Sequence, residues 1–216
     1  DGTLLDGDGN IPSQLWPLLE TMRDRAIAFV PASGRQCTTL STMFGSHLQG
    51  MPIIAENGTY VVRDGVDISS STIDPNLTRE VITGVRQLRN DGHDVGLVVA
   101  TKSIAYLERG DDPFVSHVAT YYHSHRIVKD LSEHTDDVIK LSIYDFREAS
   151  EATYPTMQRT APEHQVILAT PNWVDIMNPG VNKGSAVEAV QRDLGVTADQ
   201  TAIFGDFLND LEMMPM

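Results

Sequence analysis

Hydrophobic positions along this chain fall into two alternating rhythms. Leu15, Leu18, Leu19, Met22 and Ala26 recur at three- and four-residue spacing, which predicts an amphipathic helix over residues 13–25, N-capped by Ser13 and tolerating Pro17 in its first turn. AIAFVPASGR then reads as a short apolar strand ending in a small-residue turn, followed by a second helix through Leu40 and Phe44. MPIIAENGTYVVRDGVDI predicts a buried strand, a turn at Asn57-Gly58 and a hairpin turning at Asp64-Gly65. This alternation of helices and strands argues for a parallel sheet with helices on its faces.

Between Ile73 and Asn178 the pattern changes into what reads as a separate α/β unit. Helices are expected over residues 76–89 and 113–123, strands over 95–100 and 138–144, then a further helix and paired strands over 166–168 and 173–177. NKGSAVEAVQRDLGV returns to a clear helix, with Ala186, Val187, Val190 and Leu194 on one face, and TAIFGDFLND closes with a buried strand and an acidic loop. The sequence contains no internal repeat and no low-complexity tract.

Composition narrows the function classes. In 216 residues, 41% hydrophobic, the chain can bury a sizeable core. Its 16 basic against 30 acidic residues give a net charge of −14, which argues against a general binder of nucleic acid or anionic membranes. An anionic substrate therefore needs a local positive site. Cys37 is the one cysteine, so no internal disulfide is possible and a cytoplasmic setting is expected. No apolar run approaches the ~20 residues of a membrane span.

Ligands of open α/β sheets bind beyond the carboxyl ends of the strands, so the polar groups just after strands matter most. Four such loops stand out: Asp1 with Thr3; Ser33 with Gly34 and Arg35; Lys183; and Asp206 with Asn209 and Asp210. Lys183 begins a helix, where a cation opposes the helix dipole by ~0.3–1 kcal/mol unless an anion lies beside it; a phosphate would remove the conflict. Asp206, Asn209 and Asp210 crowd two carboxylates and an amide into five residues, hard oxygen donors that suit Mg²⁺. Ser33 offers a hydroxyl and Gly34 an approachable backbone N–H for phosphoryl oxygens.

These segments, DGTLL, PASGR, GVNKGSAV and FGDFLND, in this order and with an Asn-Gly turn in AENG, resemble the haloacid dehalogenase-like phosphohydrolases, and more closely their Cof-type branch, which includes many sugar-phosphate phosphatases. The resemblance spans the chain. It implies an α/β fold with a Rossmann-like parallel-sheet core over residues 1–74 and 179–216 and a large inserted α/β cap over 75–178. It also implies a Mg²⁺-dependent phosphomonoester hydrolase acting on a small phosphorylated metabolite, with an aspartyl-phosphate intermediate. The family's opening motif matches from its second aspartate onward, so the nucleophile is expected two positions before Asp1 and the chain is expected to be part of a longer one. By the same resemblance Asp1 is the general acid/base, its backbone carbonyl open to the metal; Ser33, the Gly34 N–H and Asn209 hold phosphoryl oxygens. Lys183 stabilises the nucleophile and phosphate, Asp206 is the direct Mg²⁺ ligand, and Asp210 orients or supplements the metal shell.

Two rival functions share these residues: a phosphosugar mutase, and a non-catalytic phosphoester binder if no nucleophile precedes Asp1. DGDGN is not an EF-hand loop, because Ile11 stands where glycine is needed and Pro17 where the closing glutamate is needed. His123 and His125, with His117 and His134 nearby, are read as surface residues before metal ligands, and Cys37 as a small buried side chain before a nucleophile. Arg35 either steers an anionic substrate or covers the sheet edge. Asp145, Arg147, Asn172 and His125 are candidates for contacting the leaving group, and Trp173 and Met177 are expected to pack the cap or hinge. Oligomeric state is not legible.

Overall fold

A computed structural model describes residues 3–7 and 9–216, with the side chain of Leu208 outside the description. The chain divides into two compact units, one made of residues 1–69 and 182–216, the other of residues 70–181.

In the first unit, helix α1 spans Leu15–Asp24 and α2 spans Cys37–Phe44. Ser13 does not cap α1. The helix starts two residues later from Gln14, which makes no side-chain cap, and the Leu15 N–H is taken instead by the Pro12 carbonyl. Strands β1 (Pro52–Ala55), β2 (Tyr60–Arg63) and β3 (Val66–Ser70) form a three-stranded sheet in that order, with β1 and β2 antiparallel. Asp64 and Gly65, both at positive φ, make the two-residue turn that the right-handed twist of a hairpin favours. The parallel component of this unit among the described residues is a bridge between Ala32 and Ile54, reinforced by the Ser33 N–H to the Ile54 carbonyl and the Ile54 N–H to the Pro31 carbonyl.

Two segments expected as strands, 26–32 and 201–204, therefore form no regular ladder among the described residues. Apolar alternation marks a segment as extended, but a strand is defined by a partner for its N–H and C=O groups. Phe204, read as buried, is 77% exposed. The counterpart core is small: Ile54 and Val61 from the hairpin, Ala186, Val187 and Val190 from the long C-terminal helix, and Met213.

The second unit is built on a six-stranded sheet. Its helices are α3 (Pro75–Asn90), α4 (Asp112–Tyr121) and α5 (Thr153–Thr160). Its strands are β4 (Val95–Thr101), β5 (Ala105–Leu107), β6 (His125–Ile127), β7 (Val138–Asp145), β8 (Gln165–Leu168) and β9 (Trp173–Met177). The order is β6-β5-β4-β7-β9-β8, antiparallel throughout except for the parallel β5–β6 pair. The short strands β5 and β6 carry too few residues for a period-two signal and were not legible in the sequence. Strand alternation sorts the core into two faces. Val95, Leu97, Val99, Leu141, Ile143, Val174 and Ile176 join the cluster with α3 and α5, while Val98, Ala100, Tyr144 and Trp173 join Phe114 and Val118 of α4.

That second face also carries a buried polar strip. Ser142 Oγ donates to Asp175 Oδ1 at 2.6 Å, Tyr122 and Ser142 share a hydrogen bond at 2.9 Å, and Lys140 Nζ stands 3.7 Å from Asp175 Oδ2. Pairing the charges where they are desolvated makes their burial tolerable. No helix among the described residues is long and apolar enough to cross a membrane.

Candidate functional site

Thr3, Ser33, Gly34, Arg35, Asp206, Asn209 and Asp210 lie on loops of the first unit, and Lys183 begins its helix α6 (Lys183–Leu194). Helix α6 begins at a reciprocal cap: Asn182 Oδ1 accepts the Ser185 N–H at 2.9 Å, and Ser185 Oγ accepts the Asn182 N–H at 3.1 Å. It ends on Gly195 in the left-handed region. Because both ends are defined, the first helical residue, Lys183, is fixed in place.

Lys183 is 5% exposed, and its ammonium donates to Asp210 Oδ1 at 2.5 Å; Asp210 is 6% exposed. The electrostatic conflict expected of a lysine at a helix start is thus met by a carboxylate from the C-terminal loop. Asp210 Oδ2 in turn accepts the backbone N–H groups of Asp206 at 3.2 Å and Phe207 at 3.4 Å, closing that loop into a turn. Asp206 points the other way in chemical terms: it is exposed, and its carboxylate accepts a hydrogen bond from the Thr3 hydroxyl.

Loop 33–35 is anchored through its backbone. The Glu56 N–H donates to the Arg35 carbonyl and the Asn57 N–H to the Ser33 carbonyl, both at 3.0 Å. Ser33 Oγ accepts the Arg35 N–H at 3.1 Å, holding the small-residue turn closed. Asn209 Nδ2 donates to Asn57 Oδ1 at 3.1 Å. Hydrogen bonds therefore link the Thr3 loop to the 206–210 loop, that loop to Lys183, and that loop again, through Asn57, to Ser33. Asp1 lies outside the described residues.

Mg²⁺ takes one or two carboxylates and fills its octahedron with water and substrate oxygens. Asp206, exposed and accepting from the Thr3 hydroxyl, is suited to be a direct ligand. Asp210 has both oxygens engaged by Lys183 and the two loop N–H groups, which suits it to orient the loop and the lysine. Among the described residues no group of three or more His, Cys, Asp or Glu side chains is arranged to hold a metal.

Burial pushes the Cys37 thiol above its ordinary pKa, and the carboxylates of Glu56 and Asp67 push in the same direction against a hydrogen bond from Ser41. A thiol held protonated is a poor nucleophile, and Cys37 is half-buried where the sequence predicts a buried side chain. His117 and His123 are exposed, as surface residues should be; His117 stacks on Tyr144, half-buried His134 stacks on Tyr106, and half-buried His125 bonds the Tyr122 carbonyl through Nδ1 at 2.9 Å. Asp145 and Asn172, considered for leaving-group contact, instead tie their own loops. Asp145 accepts from the Arg147 N–H at 2.9 Å and the Thr153 hydroxyl at 2.6 Å, and Asn172 Nδ2 donates to the carbonyls of Asp145 and Arg147. Trp173 and Met177 are buried within the second unit. Asn57 was read only as a turn residue. Its sequence signal, an Asn-Gly pair directly after an apolar strand, gave its backbone conformation but not the reach of its side chain.

The chain is similar to several known proteins. A 5-amino-6-(5-phospho-D-ribitylamino)uracil phosphatase, YbjI, of Escherichia coli (strain K12) is 27% identical over 201 residues, covering 90% of this chain and 71% of its own. An HMP-PP phosphatase of Cronobacter sakazakii is 22% identical over all of this chain and 78% of its own. Among solved structures, a haloacid dehalogenase-like hydrolase from Bacteroides thetaiotaomicron superposes with a TM-score of 0.83 at 20% identity, covering 98% of this chain and 80% of that one. The subclass IIB sugar phosphatase BT4131 superposes with a TM-score of 0.79 at 20% identity, covering 99% and 81%. The haloacid dehalogenase-like hydrolase family matches residues 1–216, so the chain belongs to that family.

Proposed function

We propose that this protein is a Mg²⁺-dependent phosphomonoester hydrolase that acts on a small phosphorylated metabolite of the sugar-phosphate class. The observation that carries the reading is the buried Lys183–Asp210 pair: Asp210 also accepts the backbone N–H of Asp206, whose carboxylate is exposed, and on the same loop the Asn209 amide donates to Asn57. A fixed cation beside a carboxylate able to take a divalent ion is what a dianionic ester and its transition state require. The relatives named above for phosphatase activity support the class. The phosphoribityl and sugar names of YbjI and BT4131 support the sugar-phosphate class in particular.

In this reading a carboxylate oxygen of the aspartate expected two positions ahead of Asp1 attacks phosphorus as the bond to the leaving oxygen breaks. Asp1 gives its proton to that oxygen. Asp1 then takes a proton from water, whose oxygen attacks phosphorus and releases phosphate and the free aspartate. Lys183 holds the charge that builds on the equatorial oxygens, while Ser33, the Gly34 N–H and Asn209 orient them. Asp206 holds Mg²⁺, which when bound supplies charge neutralisation at the phosphoryl group. Asp210 keeps Lys183 and the 206–210 turn in register. Residues 75–178 take the part of the cap that selects the leaving group, and residues 1–74 and 179–216 that of the catalytic core.

The test is hydrolysis of p-nitrophenyl phosphate by the full chain. Phosphate release that requires Mg²⁺ and stops in EDTA is expected, whereas metal-dependent binding of the ester without turnover would reject the enzyme reading. Transfer of label from a hexose phosphate back onto sugar, with no phosphate released, would identify a mutase instead.

A further inference from the structure

We infer that Asn57 is a positioning residue that sets the two phosphate-orienting elements, the 33–35 turn and Asn209, in register with each other. The inference rests on the phosphoryl-transfer reading above. Asn57 is 2% exposed and sits in the left-handed region, at φ 59° and ψ 26°, a conformation that asparagine tolerates and β-branched residues do not. From that position one residue reaches both loops. Its backbone N–H holds the Ser33 carbonyl at 3.0 Å, and its side-chain oxygen accepts from Asn209 Nδ2 at 3.1 Å.

The same side chain packs on Gly34. A Cβ on Gly34 would lie 2.9 Å from Asn57 Oδ1, 3.3 Å from Nδ2 and 3.4 Å from Cγ, so the absence of a side chain at 34 is what lets the amide lie flat against the turn. The next residue, Gly58, at φ 96°, is pressed against the Asn182 carbonyl so closely that any Cβ would overlap it. Asn182 is the N-cap of the helix that begins with Lys183. The short turn after β1 thus touches the 33–35 turn, the 206–210 loop and the start of α6, without being one of the groups proposed to meet phosphate. Rigid support of this kind is what keeps orienting groups within the tolerance that phosphoryl transfer allows.

The geometry makes a coupling test available. Asn57→Gly keeps the left-handed backbone and removes the side chain; Gly34→Ala keeps the N–H and forces the Asn57 amide away. Each single variant is expected to lower kcat for p-nitrophenyl phosphate by about 10- to 100-fold and to weaken inhibition by inorganic phosphate in parallel. In the double variant the added methyl meets the space that the amide vacated, so Gly34→Ala is expected to cost nothing further once Asn57 is glycine. A purely structural role predicts a lower melting temperature for Asn57→Gly with kcat and phosphate inhibition unchanged at 25 °C. That result, or full additivity of the two substitutions, overturns the inference while leaving the phosphatase reading intact. If the wild-type chain shows no turnover, the phosphatase reading fails. Calorimetric binding of inorganic phosphate with Mg²⁺ then decides the inference: loss in Asn57→Gly supports it, and equal binding or no binding by wild type defeats it.

Discussion

The two units of this chain are stabilised in different ways. Residues 70–181 rest on a six-stranded sheet whose ladders continue from edge to edge, with apolar clusters on both faces. Among the described residues, those of 1–69 and 182–216 rest on a three-stranded hairpin sheet, a parallel bridge and a short apolar cluster around α6. In the first case backbone pairing and burial hold the unit; in the second, individual side chains bridge loops: Thr3 to Asp206, Lys183 to Asp210, Asn57 to Asn209. Loops carry chemistry because their polar groups are not consumed by ladders, and the same fact makes each bridging side chain matter more.

Substitutions that separate the two modes follow from this contrast. The largest effect is expected from Lys183→Met. It leaves Asp210 buried without its cation at ~3–5 kcal/mol, enough to unfold residues 1–69 and 182–216 selectively, and removes turnover by at least ~10²-fold. Urea unfolding followed in parallel with phosphatase rate checks it, and a variant of native stability would deny that the pair organises the loops.

Leu141→Ala, in the centre of β7, is next. It is expected to cost ~2–5 kcal/mol in the sheet-built unit through transfer and cavity terms. Its effect is read as an earlier denaturant midpoint, with protection of the α6 amides in hydrogen exchange unchanged. Equal loss of protection in α6 would mean that the two units do not unfold separately.

Asn182→Ala removes the N-cap that fixes the start of α6, at ~1 kcal/mol. A modest fall in melting temperature with a larger fall in kcat is expected, since Lys183 is the next residue.

The smallest effect belongs to Arg86→Ala in the second unit, and its signature is its pH dependence. Burial pushes the Glu108 carboxyl up, but hydrogen bonds from Arg86 and the Leu131 N–H outweigh it and hold it below the ordinary carboxylate range. The Ser132 hydroxyl first, and then Arg86, bring Asp130 down to about 2. Carboxyls depressed by folding stabilise the native state above their unfolded values, near about pH 4, and lose that contribution as pH falls through the folded values. Arg86→Ala is therefore expected to lower the melting temperature slightly at pH 7 and to converge with wild type near pH 2. A difference that persists or grows at low pH would locate the effect in packing rather than charge.

The two units were also unequally legible. In the sheet-built unit, long apolar runs gave β4, β7 and β9 nearly to the residue, because burial on both faces of the sheet persists over five or more consecutive positions. Strands β5 and β6, three residues each, exist only because a neighbouring strand supplies their hydrogen bonds. In the loop-built unit, Ser33, Lys183, Asp206, Asn209 and Asp210 could be read as candidates from residue type, order and strand-end placement. Ser13 as a cap and Phe204 as a buried strand residue could not be judged that way, since both depend on what stands opposite them.

By itself the sequence determined the α/β class, the helices α2, α3 and α6, the hairpin turn at Asp64-Gly65, and which loops hold carboxylate, amide, hydroxyl and ammonium groups. These are local properties, written in periodicity, capping and side-chain chemistry. Only the tertiary structure decided that Asp210 serves Lys183 while Asp206 stays open to solvent, and that the Asn57 amide bridges Gly34 and Asn209. Those pairings join residues 27 and 152 positions apart, and no spacing rule encodes which of several chemically equivalent partners folding will bring within hydrogen-bond reach.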